Sequence, residues 1–128
     1  MTENEHSAVI RNGELSPREQ ALLLADIISD TPARETVVLD IHELSPFADY
    51  FVITAGENER QLRAIHRTVT EQMERAGLRA RRSEGTAAGG WILIDFGAVF
   101  LHIFSVEQRA FYRLEELWAE APTLLAIQ

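Results

Sequence analysis

Residues 91–105 constrain the fold more than any other part of the chain. They read WILIDFGAVFLHIFS, two apolar segments separated only by Gly97 and Ala98. A two-residue loop with glycine first is typical of a type II′ hairpin turn, because glycine readily adopts the positive φ that this turn requires. The pattern therefore predicts two antiparallel strands in which Asp95 pairs with Phe100.

The two faces of this hairpin differ, because side chains alternate between the faces of a strand. One face is wholly apolar and must be covered by helices; it carries Ile92, Ile94, Phe96, Val99, Leu101 and Ile103. The other face is aromatic and apolar but includes one acid and one imidazole; it carries Trp91, Leu93, Asp95, Phe100, His102 and Phe104. Buried polar groups need partners, so we expect this second face to be only partly covered by the protein itself.

Three interpretations of the second face stay open on these residues alone. In the first, Asp95 and His102 are diagonal neighbours that form a structural pair beneath a helix. In the second, Trp91, Phe100 and Phe104 anchor a partner interface, because aromatics beside isolated polar groups are typical of interface cores. The third is catalysis, which requires a nucleophile, a second acid or a metal site, and no recognised spacing supplies one.

Helical and strand periodicities predict the elements around the hairpin. A first helix begins after Ser16 with a capping box, and a second follows Asn58 and ends near Gly77. Two strands lie between them at residues 35–41 and 50–55, and a short arginine-rich strand is predicted at 78–82, followed by a loop. A last helix is expected from residue 105 to 122, with a buried stripe of Ala110, Phe111, Leu114, Leu117 and Trp118.

This order of elements predicts a single α/β domain. We expect a mixed sheet of about five strands flanked by about three helices. Residues 1–15 are predicted to be a flexible N-terminal tail, residues 16–120 the folded domain, and residues 121–128 a C-terminal tail.

Composition and charge make some classes of binding partner more compatible with this chain than others. The chain has 128 residues, no cysteine and a net charge of −8, with 12 basic against 20 acidic residues. An acidic chain is poorly suited to broad nucleic-acid binding and better suited to a basic protein partner. Neither a membrane-spanning run nor a secretory signal is recognisable, so we expect a cytoplasmic protein without membrane contact.

Several motifs together resemble the ribosomal silencing factor family, also called the Iojap-like or YbeB-like proteins. The matching segments are ADYFVITAGENERQ, AGL, EG, WILIDFG, HIF and RAFYRLEELW, and the resemblance extends over residues 16–118. This chain departs from the family pattern in two places. One is the loop from Ala55 to Arg60, and the other is Ala98, where the family often has an acid. These departures weaken any shared role for the loop and for the turn.

The resemblance implies a translational repressor. Such a protein binds the large ribosomal subunit through its ribosomal protein fourteen and sterically blocks joining of the small subunit, with a further role in large-subunit biogenesis. The family can self-associate, so a homodimer is expected, and its fold resembles nucleotidyltransferases without their catalytic acids. We therefore predict no enzyme activity, catalytic residue, cofactor or metal. Combined with the hairpin face, the resemblance predicts partner-binding residues Glu84, Trp91, Leu93, Asp95, Phe100, His102 and Phe104.

Two alternatives accompany this prediction. A nucleotidyltransferase-like enzyme would hold a metal and a nucleotide with Asp40, Asp49 or Asp95. A homodimeric scaffold would instead bury the Trp91 face in its own dimer, so that this face is hidden in solution.

Overall fold

The computed structural model describes residues 14–128, so most of the predicted N-terminal tail, 1–15, lies outside the described residues. The helices are α1 (Pro17–Ile28), α2 (Glu59–Arg75), α3 (Val106–Tyr112) and α4 (Leu114–Leu117). The strands are β1 (Arg34–Asp40), β2 (Tyr50–Gly56), β3 (Arg82–Thr86), β4 (Trp91–Asp95), β5 (Val99–Ser105) and β6 (Thr123–Ile127). No helix within this part of the chain is long and apolar enough to cross a membrane.

The strands form one mixed sheet in the order β3-β4-β5-β2-β1-β6. The central pair, β5 and β2, is parallel, and every other pair is antiparallel. The predicted α/β class and mixed sheet are confirmed, but the sheet has six strands and not about five. The additional strand is β6, which lies in the segment 121–128 that was expected to be a tail and pairs with β1 at the sheet edge.

The hairpin has the predicted register. Asp95 pairs with Phe100 and Leu93 with His102, and the Phe96 amide donates to the Val99 carbonyl at 2.9 Å. The turn glycine, Gly97, has φ +98°, as a turn of this type requires.

The two long helices begin as the sequence predicts. At α1 the Ser16 hydroxyl accepts from the Glu19 amide at 3.1 Å, and the Glu19 carboxylate accepts from the Ser16 amide at 2.9 Å. At α2 the Asn58 side chain accepts from the Gln61 amide at 2.9 Å. These caps satisfy amides that have no partner within the helix and so define where each helix starts.

Helices α1 and α2 pack on one side of the sheet and bury the apolar face of the hairpin; we call this side the helix-covered face. Its hairpin residues are almost completely inaccessible, with Ile94, Val99, Leu101 and Ile103 at 0% exposure. The buried stripe of α2 packs against them and consists of Leu62, Ile65, Val69 and Met73. The prediction that helices cover this face is confirmed.

The short strand predicted at 78–82 is displaced along the chain. Strand β3 occupies Arg82–Thr86, so it shares only Arg82 with the predicted strand and otherwise lies in the segment that was expected to be a loop. Gly85 makes this pairing with β4 feasible, because its φ is +87° and a Cβ there would lie 2.0 Å from the Trp91 carbonyl oxygen. All five residues of β3 are exposed, so the strand lacks the alternation by which strands are recognised.

The predicted last helix is wrong in its extent and in its buried stripe. It divides into α3 and α4 at Arg113, which adopts the left-handed conformation with φ +49°. Leu114 is buried, but Phe111 is 73% exposed and Leu117 is 76% exposed. The break shifts the helical phase between Phe111 and Leu114, so residues that would share one stripe of a continuous helix point in different directions.

Candidate partner-binding site on the aromatic face

The side of the sheet opposite α1 and α2 is only partly covered. Short helices α3 and α4 overlie part of it and leave a surface that is rich in aromatic side chains. We call this surface the aromatic face and define it by five residues that are half-buried or exposed: Trp91, Leu93, Phe100, Tyr112 and Trp118. Exposed large apolar groups beside one another are typical of interaction sites.

A layer of buried rings supports the aromatic face from beneath. Phe51 on β2 lies 6.1 Å from Phe100 and 5.1 Å from Trp118, measured between ring centroids. Phe104 on β5 lies 4.7 Å from Trp91, and Trp91 is also 4.7 Å from Tyr112. The surface side chains therefore rest on a packed aromatic layer that fixes their positions.

Arg109 determines how α3 and α4 sit over the sheet. Its guanidinium donates through Nε to a Glu115 carboxylate oxygen at 3.0 Å and through Nη1 to the Glu35 carbonyl at 2.7 Å. The Arg109 side chain is only 12% exposed, whereas the Glu115 side chain is 34% exposed. These bonds join α3, α4 and the start of β1 across the left-handed turn at Arg113.

Three exposed apolar side chains extend the aromatic face beyond the predicted residues. The Phe111 ring lies 5.0 Å from that of Tyr112. Leu117 and Leu44 line one open depression together with Trp118. The sequence interpretation assigned Phe111 and Leu117 to the core, but α3 buries none of its residues and α4 buries only Leu114.

Asp95 has partners within the protein. One carboxylate oxygen accepts from the Gly97 amide at 2.7 Å, and the other accepts from Arg82 Nε at 3.1 Å. The residue is 9% exposed. Asp95 therefore stabilises the hairpin turn and joins β4 to the edge strand β3, and it is not paired with His102 as the structural interpretation expected.

His102 has a different neighbour. Its Nδ1 accepts from the Trp91 indole N–H at 3.2 Å, and its ring meets Phe51 edge-on with 4.6 Å between centroids. Burial lowers the pKa of His102 to about 4, from an ordinary value of 6.5, because the surrounding rings cannot solvate a charged imidazole. The ring is therefore neutral at physiological pH.

The seven predicted partner-binding residues divide by exposure. Trp91, Leu93 and Phe100 are half-buried on the aromatic face, and Glu84 is exposed where edge strand β3 pairs with β4. Asp95 and His102 are almost covered. Phe104 is fully buried at 0% exposure, so the prediction that it is an exposed anchor is wrong; it lies under Trp91 and supports it.

The aspartates of the enzyme alternative do not form a metal site. Within residues 14–128, no group of three or more His, Cys, Asp or Glu side chains is arranged to hold a metal ion. Asp40 is bonded to His42 Nδ1 at 2.5 Å, and Asp95 is occupied by Arg82 and Gly97.

Comparisons with known proteins by sequence and by fold both find ribosomal silencing factors or proteins of the same fold. Residues 14–128 match the family described as "Ribosomal silencing factor during starvation". The ribosomal silencing factor of Halalkalibacterium halodurans is 36% identical over 110 residues, which is 86% of this chain and 94% of that protein. A crystal structure of a Chromobacterium violaceum protein superposes with a TM-score of 0.79 at 27% identity, covering 82% of this chain and 88% of the other.

A more distant relative is the mouse protein named mitochondrial assembly of ribosomal large subunit protein 1. It is 29% identical over 99 residues, which is 75% of this chain but 43% of the mouse protein. The family match extends over nearly the whole chain, and the solved Chromobacterium violaceum structure shares its fold. The chain belongs to the ribosomal silencing factor family.

Proposed function

We propose that this protein represses translation by occupying the large ribosomal subunit. In this proposal the aromatic face binds ribosomal protein fourteen of the large subunit, and the bulk of the bound domain prevents the small subunit from joining. The mechanism is non-enzymatic and requires neither a cofactor nor a metal. It acts in the cytoplasm, where the two subunits meet.

The observation that carries the proposal is the half-buried Trp91, which is packed into a preformed aromatic surface. Its ring is packed against Phe104 and Tyr112 at 4.7 Å each, so binding requires little further ordering of the side chain. Large aromatic side chains on packed surfaces dominate the binding energy of many interfaces. Family membership supplies the class of partner, a ribosome.

Charge supports a basic partner. The chain has a net charge of −8. Exposed acids at the aromatic face include Glu84 on β3 and Glu116 in α4, which are ion-paired with Arg82 and Arg113. Complementary fields accelerate the encounter of an acidic protein with a basic ribosomal surface. The same charge disfavours direct contact with RNA phosphates.

Two further roles belong to the same proposal. The name of the mouse relative refers to assembly of the large subunit, which supports a contribution of this protein to large-subunit biogenesis. Self-association through the aromatic face would bury the same side chains. A homodimer of that kind would compete with ribosome binding.

The test is co-sedimentation of the purified protein with isolated large subunits. Trp91→Ala is expected to weaken binding by about 2 kcal/mol or more, roughly thirtyfold, because it removes the largest preordered anchor. The matched control is Leu22→Ala. Leu22 is an exposed apolar residue on α1, the helix that packs on the side of the sheet opposite the aromatic face. Both variants should keep the wild-type circular dichroism spectrum.

The outcomes separate the alternatives. Binding that is lost in Trp91→Ala and kept in Leu22→Ala supports the aromatic face as the contact surface. Failure of the wild-type protein to sediment with large subunits over a range of salt concentrations would contradict the proposal. Light scattering of wild type and Trp91→Ala reports whether a homodimer hides the same surface.

A further inference from the structure

The position of Trp91 depends on a directional contact with His102. The two residues lie on neighbouring strands as diagonal neighbours, because Trp91 pairs with Phe104 and His102 pairs with Leu93. The indole N–H donates to His102 Nδ1 at 3.2 Å. Ring packing against Phe104 and Tyr112 limits where the indole lies, and the hydrogen bond adds a direction that ring packing lacks.

The hydrogen bond fixes the tautomer of His102. An indole nitrogen is a donor only, so Nδ1 must be unprotonated to accept from it and the proton must reside on Nε2. Phe51 meets the ring edge-on, and Phe104 lies parallel to it at 6.3 Å with an interplanar angle of 11°. These rings hold the imidazole in place, and burial lowers its pKa, so the acceptor is both oriented and kept neutral.

This arrangement has a cost in stability. His102 is 5% exposed, and its Nε2 is buried without a hydrogen-bond partner among the described residues. A buried donor without a partner destabilises a fold, whereas an apolar side chain of similar size would fit the aromatic surroundings. Stability alone therefore does not explain a histidine at this position.

We propose that His102 is a positioning residue of the partner-binding site, which holds the Trp91 indole in the orientation that the ribosomal partner recognises. This inference rests on the proposed function, since the benefit of an oriented Trp91 is measured as affinity for the large subunit. His102 itself does not touch the partner. It acts through the indole from the layer beneath.

Two substitutions at this site separate positioning from folding. His102→Leu removes the acceptor together with the unpartnered donor, so the folded protein should be as stable as wild type or more stable. Its affinity for large subunits should fall about threefold to tenfold, the typical worth of one hydrogen bond. His102→Asn keeps an acceptor oxygen near the position of Nδ1 and buries an amide, so it should be less stable than His102→Leu and yet bind more tightly.

A neighbouring residue provides the matched control. Ile103 follows His102 on β5 and points to the helix-covered face, where it is fully buried. Ile103→Val should lower the urea midpoint of unfolding and leave the affinity for large subunits unchanged. At these two adjacent positions, His102→Leu would then lower affinity without lowering stability, and Ile103→Val would lower stability without lowering affinity.

The indole N–H resonance reports the hydrogen bond directly. In a ¹⁵N–¹H spectrum, the signal that is absent from Trp91→Phe belongs to Trp91. In His102→Leu this signal should move to lower proton chemical shift and exchange faster with water. In His102→Asn both properties should return towards their wild-type values.

Each result bears on the inference. Loss of affinity in His102→Leu with retained stability, together with recovery in His102→Asn, supports a positioning role. Wild-type affinity in His102→Leu overturns this role while leaving the proposed function intact. Equal losses of stability and affinity in both variants show a merely structural residue. Failure of the wild type to bind large subunits overturns the proposed function, and the positioning role with it.

Discussion

The two faces of the central sheet use the same strands in different ways. On the helix-covered face, hairpin residues such as Ile94 and Leu101 are completely buried beneath α1 and α2. On the aromatic face, Trp91 and Phe100 remain half-buried, and the covering helices are only seven and four residues long. Both faces therefore bury apolar side chains, but the helix-covered face is closed, whereas the aromatic face has a packed surface that is left open.

The polar residues of the hairpin strands show the same difference. Asp95 and His102 both lie on the aromatic side, and each accepts a hydrogen bond from a nearby group. Asp95 accepts from the turn amide of Gly97, and His102 accepts from the Trp91 indole. Hydrogen bonds of this kind are directional, and each contributes about 0.5–1.5 kcal/mol to net stability. The comparison predicts that substitutions on the helix-covered face change folding and that substitutions on the aromatic face change binding.

The largest effect on stability is expected from Leu101→Ala. Leu101 is fully buried on the helix-covered face, so truncation leaves a cavity and should lower the free energy of unfolding by about 2–5 kcal/mol. The half-buried Leu93 on the aromatic face is the matched residue, and Leu93→Ala should cost clearly less. Urea denaturation measures both, and equal losses would show that the two faces do not differ in this way.

The second prediction concerns pH. The pKa of His102 is lowered to about 4 in the folded state, from 6.5 in the unfolded chain, so the folded state binds this proton more weakly. Burial of the neutral ring therefore carries no protonation penalty above about pH 6.5, and the free energy of unfolding falls as the pH drops towards 4, by about 3 kcal/mol in total. Unfolding measured from pH 7 to pH 4 in wild type and His102→Leu isolates this contribution, because all other groups titrate in both. Identical pH profiles would contradict the prediction.

A smaller effect is expected at the hairpin turn. Asp95→Ala removes the acceptor for the Gly97 amide and the partner of Arg82, and it should lower the free energy of unfolding by about 1–2 kcal/mol. Asp95→Asn keeps an acceptor for the amide and should lose less. Thermal unfolding of both variants tests this order, and an Asn variant less stable than the Ala variant would argue against the turn contact.

The smallest effect on stability is expected at the surface. Phe111→Ser and Leu117→Ser alter side chains that are 73% and 76% exposed, so each should change the free energy of unfolding by no more than about 0.5 kcal/mol. Both should nevertheless weaken large-subunit binding, because they extend the aromatic face. Co-sedimentation provides the measurement, and unchanged binding in both variants would limit the contact surface to the sheet.

Much of the fold is predictable because its signals are local. The glycine of the turn, the alternation of the hairpin and the caps of α1 and α2 each involve residues close in sequence, and the structure contains them as predicted. Strand β6 was missed because a short apolar segment after Pro122 has no signal of its own without β1 beside it. Strand β3 was misplaced because its exposed residues do not alternate.

The sequence by itself determined the α/β class, the hairpin with its two unlike faces, and the family resemblance that indicates a ribosomal partner. Only the tertiary structure decided which side chains are accessible. Helix α3 buries none of its residues, and Phe111 and Leu117 are exposed on either side of the break at Arg113. The bond from Arg109 to the Glu35 carbonyl in this region joins residues 74 positions apart. Contacts between residues so far apart in sequence form only when the sheet is assembled. Local sequence patterns therefore do not predict them.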